Sequence, residues 1–309
     1  MNFPNWRPGA NSLPCGGGAM RQTHFRLIEG EMPTRLRVRV ATLAALLSMA
    51  GPAHAQISVL GPLVREEIGI PGRSYAGTIV LHNTSDQVQE ARLTRADYSF
   101  SADGRTLYDA PGTSARSNAK WITLTPASLT IAPHQSATVG YTVQVPADAN
   151  PLAGTYWSVV QVETIPSGSA GSSVGSPKRP QPRPRLELTL NVRVNYAIQF
   201  ATHIGQTGTS RIEFAQLAPT IDDRGHKELE FDFLNTGERA HRLVLSVELY
   251  AASGKLVGKF QQRRGLLYPG TSARQRFDLG SIPAGSYTAL LLADGGGGEI
   301  FAGQFPLKY

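Results

Sequence analysis

Hydrophobic and polar residues alternate along most of this chain, and the longest alternating run is Leu186–Phe200. Its apolar positions are Leu186, Leu188, Leu190, Val192, Val194, Tyr196, Ile198 and Phe200. Side chains of a strand point alternately to opposite faces, so this run predicts a strand with one oily face. At ~3.3 Å per residue it would extend roughly 50 Å, against about 5–6 residues for a typical strand. A strand that long can pass into a second domain or offer its edge to another chain. Before it, Pro166–Arg185 is rich in Pro, Ser, Gly and basic residues and has no apolar period. That composition predicts a mobile loop, because it buries too little apolar surface to offset the entropy of ordering.

Short alternating runs recur elsewhere at the spacing of a β-sandwich. In the first half they predict strands at Leu63–Ile68, Tyr75–His82, Val88–Phe100, Trp121–Leu124, Ser128–Ile131, Ser136–Val145 and Thr155–Ile165. In the second half they predict strands at Glu228–Leu234, Arg242–Tyr250, Tyr287–Ala293 and Ile300–Leu307. Turn formers separate them, among them Asp103-Gly104, Asn235-Thr236-Gly237, Gly254 and Tyr268-Pro269-Gly270. The expected fold is all-β, with two immunoglobulin-like β-sandwich domains in tandem, at 56–200 and 201–309.

The N-terminal segment changes the charge picture. Arg35, Arg37 and Arg39 precede the apolar run Ala41–Ala50, and Ala53-His54-Ala55 fits a small-x-small cleavage site. Residues 32–55 read as a secretory signal peptide, with maturation at Gln56, and residues 1–31 as an upstream extension or a misassigned start. The formal charge is +7, from 30 Lys and Arg against 23 Asp and Glu. Residues 1–55 hold six Arg and two Glu, which leaves 24 against 21 in the expected mature chain. No basic stripe interleaved with aromatics remains to suggest nucleic acid. The single Cys15 lies in the same discarded part, so no disulfide is expected. No later apolar run is long enough for a transmembrane anchor. The expected destination is the periplasm.

Catalytic and metal motifs are not found. His82, His134, His203, His226 and His241 are scattered, none at metal-ligand spacing, and each reads as a satisfied surface residue. Asp222-Asp223-Arg224-Gly225 and Asp294–Glu299 read as turns rather than calcium loops. Trp121 and Trp157 read as core residues that could otherwise stack on sugars. No enzymatic activity, metal or cofactor is expected.

Four motifs run in order through the first half: Trp121-Ile122-x-Leu-x-Pro126, Leu129-x-Ile131-x-Pro133, Val143-x-Val145-Pro146, and Tyr156-Trp157-x-Val-Val-x-Val-x-x-Ile165-Pro166. With the loop and long strand that follow, Leu63–Phe200 resembles the periplasmic pilus-assembly chaperones of the PapD-like family. A more distant likeness is to exported two-domain proteins that bind peptidoglycan and WxL-type surface proteins. The first resemblance implies donor-strand complementation, in which the chaperone's strand fills the groove of a pilin-like subunit before an outer-membrane usher takes it. The partner-binding residues would then be Leu186, Leu188, Leu190, Val192 and Val194. That family also grips the subunit's terminal carboxylate with a lysine and an arginine. Counting along this chain puts those positions at Asn195 and Glu67, neither basic. Arg65 and Arg193 are the candidate carboxylate anchor instead. The alternative reading is an exported cell-wall or surface-protein binding module with no chaperone role.

Overall fold

The computed structural model describes residues 56–147, 151–165 and 195–309. They form two β-sandwiches, as the alternation predicts. In chain order the first comprises β1 (Ile57–Leu60), β2 (Val64–Gly69), β3 (Ser74–Asn83), β4 (Gln89–Phe100), β5 (Thr106–Asp109), β6 (Ile122–Thr125), β7 (Ser128–Ile131), β8 (Ser136–Gln144), β9 (Gly154–Ile165) and β10 (Tyr196–Ile204). One sheet has the order β1-β3-β8-β6. The other runs β2-β10-β9-β4-β5, with β7 also against β4.

The first strand crosses between these sheets. β1 pairs antiparallel with β3, and after Gly61 and Pro62 the chain pairs β2 parallel with β10. Gly61 has φ +105°, which side-chain-bearing residues rarely adopt, and it turns the chain from one sheet to the other. Val139, Tyr141 and Val143 of β8 pack inward against Val160 and Val162 of β9 and Ile198 and Phe200 of β10. From Trp157 to Val160, β9 is buried on both faces, because its outer face meets the second sandwich through Trp157.

The second sandwich contains β11 (Ile212–Ile221), β12 (Lys227–Asn235), β13 (His241–Ala251), β14 (Leu256–Leu267), β15 (Ser272–Gly280), β16 (Ser286–Asp294) and β17 (Ile300–Lys308). Its sheets run β11-β12-β15 and β14-β13-β16-β17. The alternating Leu229, Phe231 and Phe233 face Leu245, Val247 and Leu249 across one core. At about 1.5–3 kcal/mol per fully buried large apolar side chain, such rows dominate the stability of a sandwich this size.

Three details differ from the sequence expectation. Trp121 closes a short 3-10 turn, Ala119–Trp121, and the strand starts at Ile122. β1, β5, β11, β14 and β15 arise where the alternation is broken or mostly polar. β10 runs on to Ile204, and the passage between the sandwiches falls at 205–211 rather than at residue 200.

Candidate functional site

The candidate site is built on β10 and the edge strand β2. β2 covers β10 only from Gln199 onward: Gln199 lies opposite Val64, and its N–H donates to the Leu63 carbonyl at 2.8 Å. Tyr196, Ala197 and Ile198 therefore have no strand on that side among the described residues. On the other side β9 runs antiparallel, with Tyr196 opposite Val162. Among the described residues β9 runs as far as Ile165, three positions further. Leu60 and Leu63, on either side of the strand switch, are exposed at 47% and 42%. Leu186, Leu188, Leu190, Val192, Val194 and Arg193 lie outside the described residues.

Arg65 lies opposite Phe200. Its guanidinium sits 5.3 Å from the ring centre of Tyr141, which meets the Phe200 ring edge-on at 4.9 Å. Its Nε is buried without a hydrogen-bond partner, and no carboxylate pairs with Arg65 among the described residues. Tyr141 has room because its cross-strand neighbour is Gly77. A Cβ there would fall 2.3 Å from the tyrosine oxygen. Glu67 lies opposite Thr202, not beside Asn195. The parallel register thus separates the two counted positions by seven residues, about 23 Å along an extended chain. Sequence counting located each position separately and could not see where β2 joins β10. Arg65 lies opposite Phe200, which is seven residues along the sequence from Arg193.

The floor of this region is polar and closed. Asn118 Nδ2 donates to Thr202 Oγ1 at 2.9 Å, and Thr202 bonds the Tyr75 hydroxyl at 2.7 Å. Burial pushes the Tyr75 hydroxyl up to about 12. Ser158 Oγ donates to Asn118 Oδ1, so this buried network is satisfied.

The outer face of the same sheet forms the junction with the second sandwich, which sequence reasoning missed. Trp157 stacks on Tyr268 with ring centres 5.0 Å apart and planes 8° from parallel. Trp157 Nε1 donates to the Tyr98 carbonyl, and the Tyr268 hydroxyl donates to Gln199 Oε1, both at 2.7 Å. Burial holds the Tyr268 hydroxyl far above its ordinary range. Arg116 pairs with Glu238 at 2.7 Å, and Arg242 Nε with Glu66 at 2.8 Å. The hydrogen bond from His203 draws the Glu66 carboxyl below its usual range; burial opposes this, and Arg242 adds to it. Trp157 is thus junction core, not a sugar platform. Trp121 packs tilted against Tyr156 at 4.9 Å.

The segment from Asp97 to Asn118 is organised by one carboxylate. Asp97 is buried and accepts from the N–H groups of Gly112, Thr113 and Ser114 at 2.6–2.9 Å, and from the hydroxyls of Thr113 and Ser117. Burial alone would raise this carboxyl, but these hydrogen bonds outweigh it and hold it low.

His82 and His134 bond Ser136 and Asp86 at the surface. His241 departs from that expectation: it is buried, with Nδ1 3.4 Å from Glu299 and Nε2 unpartnered. Burial pushes its imidazole below the ordinary histidine range. Asp222 and Asp294 cap turns, accepting the N–H groups of Arg224 and Gly296.

No family model and no curated protein matches this chain. Among solved structures it is similar to the class 5 fimbriae chaperone CfaA, at 12% identity over 81% of this chain and 100% of that one, with a TM-score of 0.41. It is similar to the E. coli chaperone DraB at 15% identity, 82% and 98% coverage, and a TM-score of 0.37. It is also similar to a Salmonella enterica SafA pilin–SafB chaperone complex at 11% identity, 84% and 99% coverage, and a TM-score of 0.39.

Proposed function

We propose that this is a non-enzymatic, exported protein of the periplasm that binds pilin-like subunits by β-strand complementation and presents them to an outer-membrane usher. One observation carries the reading: the apolar alternation continues upstream of Tyr196, and β2 covers β10 only from Gln199 onward. An apolar row on an uncovered edge can supply main-chain hydrogen bonds to a partner strand, while its alternate side chains fill pockets and set the register. Leu186, Leu188, Leu190, Val192 and Val194 are the proposed ridge. Arg65, with no carboxylate of its own, is the proposed anchor for a partner's terminal carboxylate. Arg193 supplies a second cation from the ridge itself.

Leu190→Glu tests this. Co-purification with a co-expressed pilin-like subunit should be lost while the thermal midpoint stays unchanged. A strongly lowered midpoint would assign the row to the first sandwich's own core. Unchanged midpoint and unchanged binding would remove the row from the functional account.

A further inference from the structure

Ala251–Phe277 carries six cations, Lys255, Lys259, Arg263, Arg264, Arg274 and Arg276, and no Asp or Glu. This run forms β14 and most of β15. β14 hydrogen-bonds to β13 alone among the described strands, so its other edge is open. Half of the charge is already neutralised across neighbouring strands. Lys259 pairs with Glu248 at 2.7 Å, Arg274 with Asp232 at 2.7 Å and Arg276 with Glu230 at 2.9 Å. Lys255, Arg263 and Arg264 pair with no carboxylate among the described residues. Arg264 turns its guanidinium over the Phe233 ring at 5.7 Å, and Arg263 is exposed. The same edge exposes Leu256 and Val257, at 47% and 37%.

We propose that β14 is a docking edge for an extended, acidic segment of a partner protein, added as a fifth strand to this sheet. The proposal does not rest on the donor-strand reading and uses a different sandwich. An open edge supplies unpaired N–H and C=O groups, which give affinity without side-chain specificity. Specificity comes from Arg263 and Gln261, exposed at alternate positions level with Val244 and Ser246 of β13, and from the exposed Lys255 just before the strand, Lys259 being already paired with Glu248. Residues directly across an added strand would stand about 5 Å from them, close enough for carboxylates to pair with the cations. Self-pairing with β14 of a second copy is disfavoured, since it would set the same cations against each other. Lysines and arginines also blunt edges against aggregation. A blunted edge gains nothing from an exposed apolar pair beside the charges, whereas a docking edge uses it.

The probe is a short capped peptide alternating Glu with Val, titrated into the protein by fluorescence anisotropy, with hydrogen exchange read on β14. The proposal expects saturable binding that weakens with added salt and protects the amides of Leu256–Arg264. It expects the double variant Lys255→Glu/Arg263→Glu to lose about tenfold or more in affinity. The exchange footprint on the unaltered protein stands even if that variant folds poorly. Absence of binding would overturn the proposal. So would equal binding of the same peptide with N-methylated backbone, which would reduce the edge to charge alone. Binding to vesicles of anionic lipid without binding to the peptide would reassign the surface to a membrane.

Discussion

Two asparagines do the same work in the two sandwiches. Asn83 ends β3, is fully buried, and donates through Nδ2 to the carbonyls of Gln87, Ile131 and Ala132 at 2.6–3.1 Å. Asn235 ends β12, is fully buried, and donates to those of Arg239 and Leu267 at 2.7 and 3.0 Å. Each Oδ1 accepts the N–H two residues on, at 3.0 Å, from Ser85 and Gly237. In both places a strand end and a following turn are tied to a neighbouring segment by one amide. Truncation would leave buried carbonyls without donors, at about 1–3 kcal/mol per unsatisfied group. Asn83→Ala and Asn235→Ala are each expected to lower the unfolding free energy by that order, read from the shift of the urea midpoint at constant slope. Asn235-Thr236-Gly237 was legible in the sequence as a turn. That its amide also pins Leu267, thirty-two residues away, was not, because such a bond depends on which strand lies alongside.

At the scale of the element, the proposed function divides one alternating run into two parts. Ile198 and Phe200 of β10 lie wholly within the first core, while the alternation upstream continues past the last pairing with β2. The same period therefore marks both halves, and period alone does not say where core ends and edge begins. Ile198 shows this directly, since it lies in the core although β2 covers β10 only from Gln199. This gives an internal control for Leu190→Glu. Ile198→Asp puts an unpaired charge into a dry core, costs several kcal/mol and should collapse the cooperative unfolding transition of the first sandwich. Near-native thermal unfolding of Ile198→Asp would contradict the assignment of Ile198 to that core.

At the scale of the whole molecule, the two sandwiches share buried aromatic and polar contacts, and the buried His241 near the junction contributes to the response to acid. His241 is buried among Arg239, Glu299, Gly295 and Phe301, and the charge of His203 also reaches it. Burial, the largest influence, pushes its imidazole below the ordinary value of 6.5; Glu299 opposes this, and Arg239 and His203 reinforce it. A histidine depressed in the folded state binds its proton more tightly when unfolded. Its contribution to stability is thus fully present above about pH 6.5 and is lost as pH falls through the lower folded value. Thermal midpoints of the protein and of His241→Gln, measured from about pH 7.5 to 5, should converge in slope only if His241 does not contribute. We expect the substituted protein to lose less stability over that window.

The sequence by itself determined the strand periods, most turns and the class of fold, because these depend on neighbours two to four residues apart. Leu229, Phe231, Phe233, Leu245, Val247 and Leu249 were legible as core from alternation alone. So was the exceptional length of the apolar row that ends at Phe200. The tertiary structure alone decided three things: the transfer of the first strand from one sheet to the other at Gly61, the parallel register that sets Arg65 opposite Phe200, and the stacking of Trp157 on Tyr268. Each joins residues far apart in the chain through packing that leaves no local period. β14 shows the same limit from the other side, since its charges are plain in the sequence but its open edge exists only once the sheet is built.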